Sequence, residues 1–75
     1  MEIMVRSALM ADKIKELLDG KTIGGVGFSF VEKKGMDMTF SAEGDTNEKD
    51  AAAIAKNAIK STDYGKGIYF TVVSK

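Results

Sequence analysis

Glu2-Ile3-Met4-Val5-Arg6-Ser7 is the stretch on which the fold turns. At about 100° per residue, Ile3, Met4, Ser7, Met10, Ala11, Ile14, Leu17 and Leu18 share one helical face, which predicts a single helix over residues 3–18. Asp12, Lys15, Glu16 and Asp19 lie opposite, and Gly20 follows where a glycine C-cap belongs. The competing reading makes residues 2–6 a short strand, with Ile3 and Val5 alternating against Glu2, Met4 and Arg6. It ranks second, because a strand there must pass into a helix at Ser7 with no connection, and such connections take about two to six residues.

Downstream the period changes to two. Val26, Phe28 and Phe30 alternate with Gly25, Gly27, Ser29 and Val31, predicting a strand over residues 22–32. Lys33-Lys34-Gly35 then makes a turn. Met36, Met38, Phe40 and Ala42 alternate with Asp37, Thr39 and Ser41, so the pair reads as one antiparallel hairpin with Phe28, Phe30, Met38, Phe40 and Phe70 in a shared core. Asp45 or Thr46 caps a second helix running to about Lys60, with Ala51, Ile54, Ala55, Ala58 and Ile59 on its apolar face. Ile68, Phe70 and Val72, alternating with Tyr69, Thr71 and Val73, form a last strand. The expected fold is one α+β domain over residues 1–75, a two-layer sandwich of order α-β-β-α-β. Its three-stranded antiparallel sheet has order 2-1-3, with both helices on one face and the other face bare. If residues 2–6 are a strand, the order becomes β-α-β-β-α-β, a ferredoxin-like arrangement.

Composition narrows the chemistry. The 75 residues contain neither Cys nor His, which removes disulfides, thiolate nucleophiles, imidazole bases and the common zinc sites. Eleven basic residues balance eleven acidic ones, against a strong global field for nucleic acid or membrane surfaces. With no apolar run long enough to span a bilayer and no secretory pattern at the start, the cytoplasm is the expected compartment. No cofactor, no metal and no membrane contact are expected.

Local motifs resist a catalytic reading. Gly24-Gly25-Val26-Gly27 follows a helix and enters a strand, the reverse of a phosphate-binding loop, and no G-K-[ST] accompanies it. Lys66-Gly67-Ile68-Tyr69-Phe70-Thr71-Val72 resembles the base-stacking strand of RNA-recognition motifs in its basic residue, glycine and aromatics. That strand precedes the second helix in the family, however, and only Tyr69 places a ring on the bare face here. Glu43, Asp45, Asn47 and Asp50 fail as a calcium loop at Lys49 and suit helix capping.

The chain is therefore expected to be a non-enzymatic protein-interaction module that binds a protein partner or, foremost, a second copy of itself, through Val5 and Leu9 on the polar side of the first helix and Val31, Tyr69 and Val73 on the bare sheet. The alternative is a weak nucleic-acid binder. Lys49, Lys56 and Lys60 fall within about 40° of one another along roughly 16 Å of the second helix. Lys66 and Tyr69 complete that surface. The neutral total conceals a dipole: residues 32–50 carry six acids against three lysines, and Lys56 onward carries four lysines against Asp63 alone.

Overall fold

The computed structural model describes residues 1–74. They form β1 (Glu2–Ser7), α1 (Ala11–Leu18), β2 (Lys21–Ile23), β3 (Val26–Lys34), β4 (Asp37–Glu43), α2 (Glu48–Lys60), a 3-10 turn at Tyr64–Lys66, and β5 (Phe70–Ser74). The strands make one curled antiparallel sheet of order β2-β3-β4-β1-β5. Neither the three-stranded sheet of order 2-1-3 nor the ferredoxin-like sandwich describes this architecture, because a fifth strand extends the sheet and its curl wraps it around the core.

The N-terminal stretch is a strand, and its partners explain why. β1 lies between β4 and β5, opposing Ile3 to Phe40 and Val5 to Met38 on one side, Met4 to Val73 and Arg6 to Thr71 on the other. Ile3, Val5 and Ser7 are buried while Arg6 is exposed, the alternation of a half-buried strand. The helical stripe through the same residues is real but loses to two hydrogen-bonded edges. The connection that argued against a strand also exists: Ala8, Leu9 and Met10 separate β1 from α1, and Met10 takes a left-handed φ of 61° to turn the chain in so few residues. A side chain in that region costs on the order of 1–2 kcal/mol.

β2 arises from the glycine pair. Gly24 (φ 59°) and Gly25 (φ 84°) form a two-residue turn with positive φ at both central positions, the type I′ geometry whose twist suits a hairpin. Ile23 consequently pairs with Val26 and Lys21 with Phe28. The next hairpin closes one residue later than Lys33-Lys34-Gly35 implies: Lys34 faces Asp37 across Gly35-Met36, with Gly35 at φ 60°. Val31 is an extra residue between the pairs Phe30–Phe40 and Glu32–Thr39, a bulge in β3.

Both helices cover one face of the sheet. Ile14 and Leu18 of α1, with Ala51, Ala55 and Ile59 of α2, are buried against Ile3, Val5, Val26, Phe28, Met38, Phe40 and Ala42. Phe30 and Phe70 pack half-buried on that cluster, as the alternation requires. The Phe30 and Phe40 rings meet edge to face at 5.7 Å. α2 is capped by Asn47 rather than by Asp45 or Thr46, its Oδ1 accepting from the Asp50 N–H at 2.8 Å. No helix among the described residues is long and apolar enough to cross a membrane.

Candidate functional site

The last strand is an edge, and the hydrogen-bond pattern fixes which peptide groups it leaves open. The Met1 carbonyl accepts from Ala42 N–H at 2.8 Å and Ser7 N–H donates to the Met36 carbonyl at 3.1 Å, so odd-numbered positions of β1 turn their peptide groups toward β4. By alternation Met4 and Arg6 turn theirs toward β5, engaging Val73 and Thr71. The N–H and C=O groups of Phe70, Val72 and Ser74 therefore point away from β1, along the open side of the sheet. Side chains alternate in the same period: Phe70 and Val72 pack toward the core, whereas Thr71 and Val73 face away from the helices.

α2 runs beside this edge in the opposite direction. At its C-terminal end Lys56 and Lys60 join Lys66, Tyr69, Phe70 and Thr71 around an open depression of about 600 Å³. Toward its N-terminus Lys49, Ala52 and Lys56 border a second depression of about 360 Å³ with Val72, Val73 and Ser74. Lys56 borders both, so the two depressions adjoin and together make a groove along the edge. Among the described residues, four lysines line it and no carboxylate does. Alanines 52 and 53 keep the α2 wall low. At the far end Gly65 packs directly against the end of α2, where a Cβ would collide with the Ile59 carbonyl oxygen. That turn is held by Thr62, whose Oγ1 donates to Ile59 O at 2.6 Å and accepts from Gly65 N–H at 2.9 Å, and by the Tyr64 hydroxyl, which donates to Lys13 O at 3.2 Å.

The residues expected to bind anions thus converge: Lys49, Lys56, Lys60 and Lys66 share the groove with Tyr69, which is 88% exposed. The residues expected to form an apolar interface do not. Val5 is wholly buried in the core, a correction that follows from β1 being a central strand. Leu9 is exposed, but in the connection before α1. Val31 in β3 and Val73 in β5 are separated by two intervening strands, about 14 Å at the usual spacing, and make no joint patch. Sequence reasoning missed the backbone groups of Phe70, Val72 and Ser74. Their signal was the alternation around Phe70 and Val72, legible only once β1 is placed beside β5.

The uncovered sheet face carries one strong ion pair. Arg6 Nε and Nη2 donate to the two carboxylate oxygens of Asp37 at 2.6 and 3.0 Å, a two-point contact between β1 and β4. These hydrogen bonds hold the Asp37 carboxyl below its ordinary 3.8, against a smaller opposing desolvation, and raise the Arg6 value further. Among the described residues, no group of three or more acidic side chains gathers where a metal ion could be held. The chain matches no protein-family model, no curated protein and no solved structure.

Proposed function

We propose that the protein is a small non-enzymatic interaction module that binds an anionic segment of a partner protein through the groove between α2 and β5. The observation that carries this reading is the gathering of Lys49, Lys56, Lys60 and Lys66 beside an open strand edge, with no carboxylate among the described lining residues. Like-charged lysines along an edge oppose pairing with an identical edge, so the partner is a different chain rather than a second copy.

Titration of the isotope-labelled protein with poly-L-glutamate tests the reading. Amide shifts should concentrate in residues 49–60 and 66–74, weaken with salt, and disappear in the Lys56→Glu/Lys60→Glu double variant. Shifts spread over the whole surface, or unchanged in the double variant, would refute the groove.

A second reading, single-stranded nucleic acid, is favoured by one specific feature: the exposed Tyr69 ring among lysines, an arrangement on which a base stacks. On that reading oligothymidylate binds with a log–log salt slope between about −2 and −3, for three or four phosphates at about −0.7 each. Tyr69→Ala then costs about 1–3 kcal/mol of affinity. The protein-partner reading expects no oligothymidylate complex at physiological salt.

A further inference from the structure

Resting on the groove reading, we propose that the partner segment is an extended peptide of alternating acidic and apolar residues that adds to β5 as a sixth strand. Two independent features point there. The first is the edge: the outward peptide groups of Phe70, Val72 and Ser74 offer donors and acceptors at every second residue, the pattern an added strand satisfies. A phosphate chain cannot complete that ladder, since it carries no alternating donors.

The second feature is the placement of charge. On an added strand, side chains of one parity lie on the helix side of the sheet, beside Phe70 and Val72 and facing Lys56 and Lys60 of α2. Those positions call for acids. Lys56 and Lys60 stand about 6 Å apart along the helix axis, close to the repeat of about 6.7 Å between like-facing residues of a strand. Side chains of the other parity fall beside Thr71 and Val73 on the uncovered face, where Val73 is 46% exposed and offers an apolar neighbour. The sheet therefore reads the peptide with period two: charge on one side, apolar contact on the other, and hydrogen bonds between.

The probe is a capped peptide of alternating Glu and Val, about eight residues, the length of an ordinary strand. Two controls accompany it: the same peptide with every backbone nitrogen methylated, which keeps the charge and leaves no donor for the ladder in either strand direction, and a Lys–Val peptide. On binding the Glu–Val peptide, the amide protons of Phe70, Val72 and Ser74 should slow in exchange by tenfold or more, while those of Thr71 and Val73, already bonded to β1, change little. The N-methylated peptide should bind about tenfold more weakly, and the Lys–Val peptide not at all. Val72→Pro removes the outward donor together with a side chain packed on the core, and should weaken binding at least as much. Lys56→Glu/Lys60→Glu supplies a second variant that leaves the strand intact and should abolish binding.

Equal affinity for the two acidic peptides, without new protection at Phe70, Val72 and Ser74, overturns strand addition and leaves the groove reading standing. Failure of both peptides and of poly-L-glutamate to perturb the α2–β5 groove overturns both. Tighter binding of oligothymidylate than of the Glu–Val peptide at physiological salt overturns the peptide in favour of nucleic acid.

Discussion

Phe40 sits wholly buried in the central strand β4, opposite Ile3 on one side and Phe30 on the other. Phe40→Ala removes a ring from a site that neighbouring strands cannot collapse into, and should cost about 3 kcal/mol or more in denaturant unfolding. A loss below about 1 kcal/mol would mean that β4 buries its other face. Asp37 gives a pH signature. Its folded-state value is depressed, so the stabilisation from Arg6 is fully present above the ordinary 3.8 and is lost as the pH falls through the depressed value. Asp37→Asn should therefore be less stable than the parent at neutral pH, and the two stability curves should converge in strong acid; parallel curves would show that the ion pair contributes nothing. Val5 and Leu9 separate two readings of one stretch. Val5→Lys places a charge in the core and should unfold the domain, while Leu9→Lys should change stability by no more than about 0.5 kcal/mol. The aromatic positions were legible because period two survives at every one of them. Val5 was not, because Ile3, Met4 and Ser7 around it also fit a helical face that leaves Val5 on the polar side, and only the strands on either side decide between the two.

At the scale of elements, the sequence shows what is locally determined and hides what a neighbour determines. The β3–β4 hairpin and α2 follow from their own residues. Cap and turn shift by one or two positions, to Asn47 and to Gly35-Met36, because several adjacent residues could serve and packing chooses among them. Asn47→Ala should cost about 1 kcal/mol through the lost bond to the Asp50 amide, measured by thermal or urea unfolding; the corresponding Thr46→Ala should cost less. β2 escaped notice because three residues are too few to show a period, although Gly24-Gly25 is itself a hairpin signal. Recognising that pair as a turn adds the strand that makes the sheet five wide.

For the whole molecule, the placement of β5 matters most, since it turns a lysine stripe into a groove. The stripe on α2 was readable from spacing alone. Its partner across the groove was not, because a strand's open side depends on which strand occupies the other. The binding edge exists only if β5 pairs with β1 through Thr71 and Val73 and leaves Phe70, Val72 and Ser74 open. Amide hydrogen exchange of the unliganded protein, resolved residue by residue, tests this most directly. The expected result is an alternation along β5, with slow exchange at Thr71 and Val73 and fast exchange at Phe70, Val72 and Ser74. Uniformly slow exchange would mean that something already covers the edge, and uniformly fast exchange that β5 does not dock on β1; either would contradict the account.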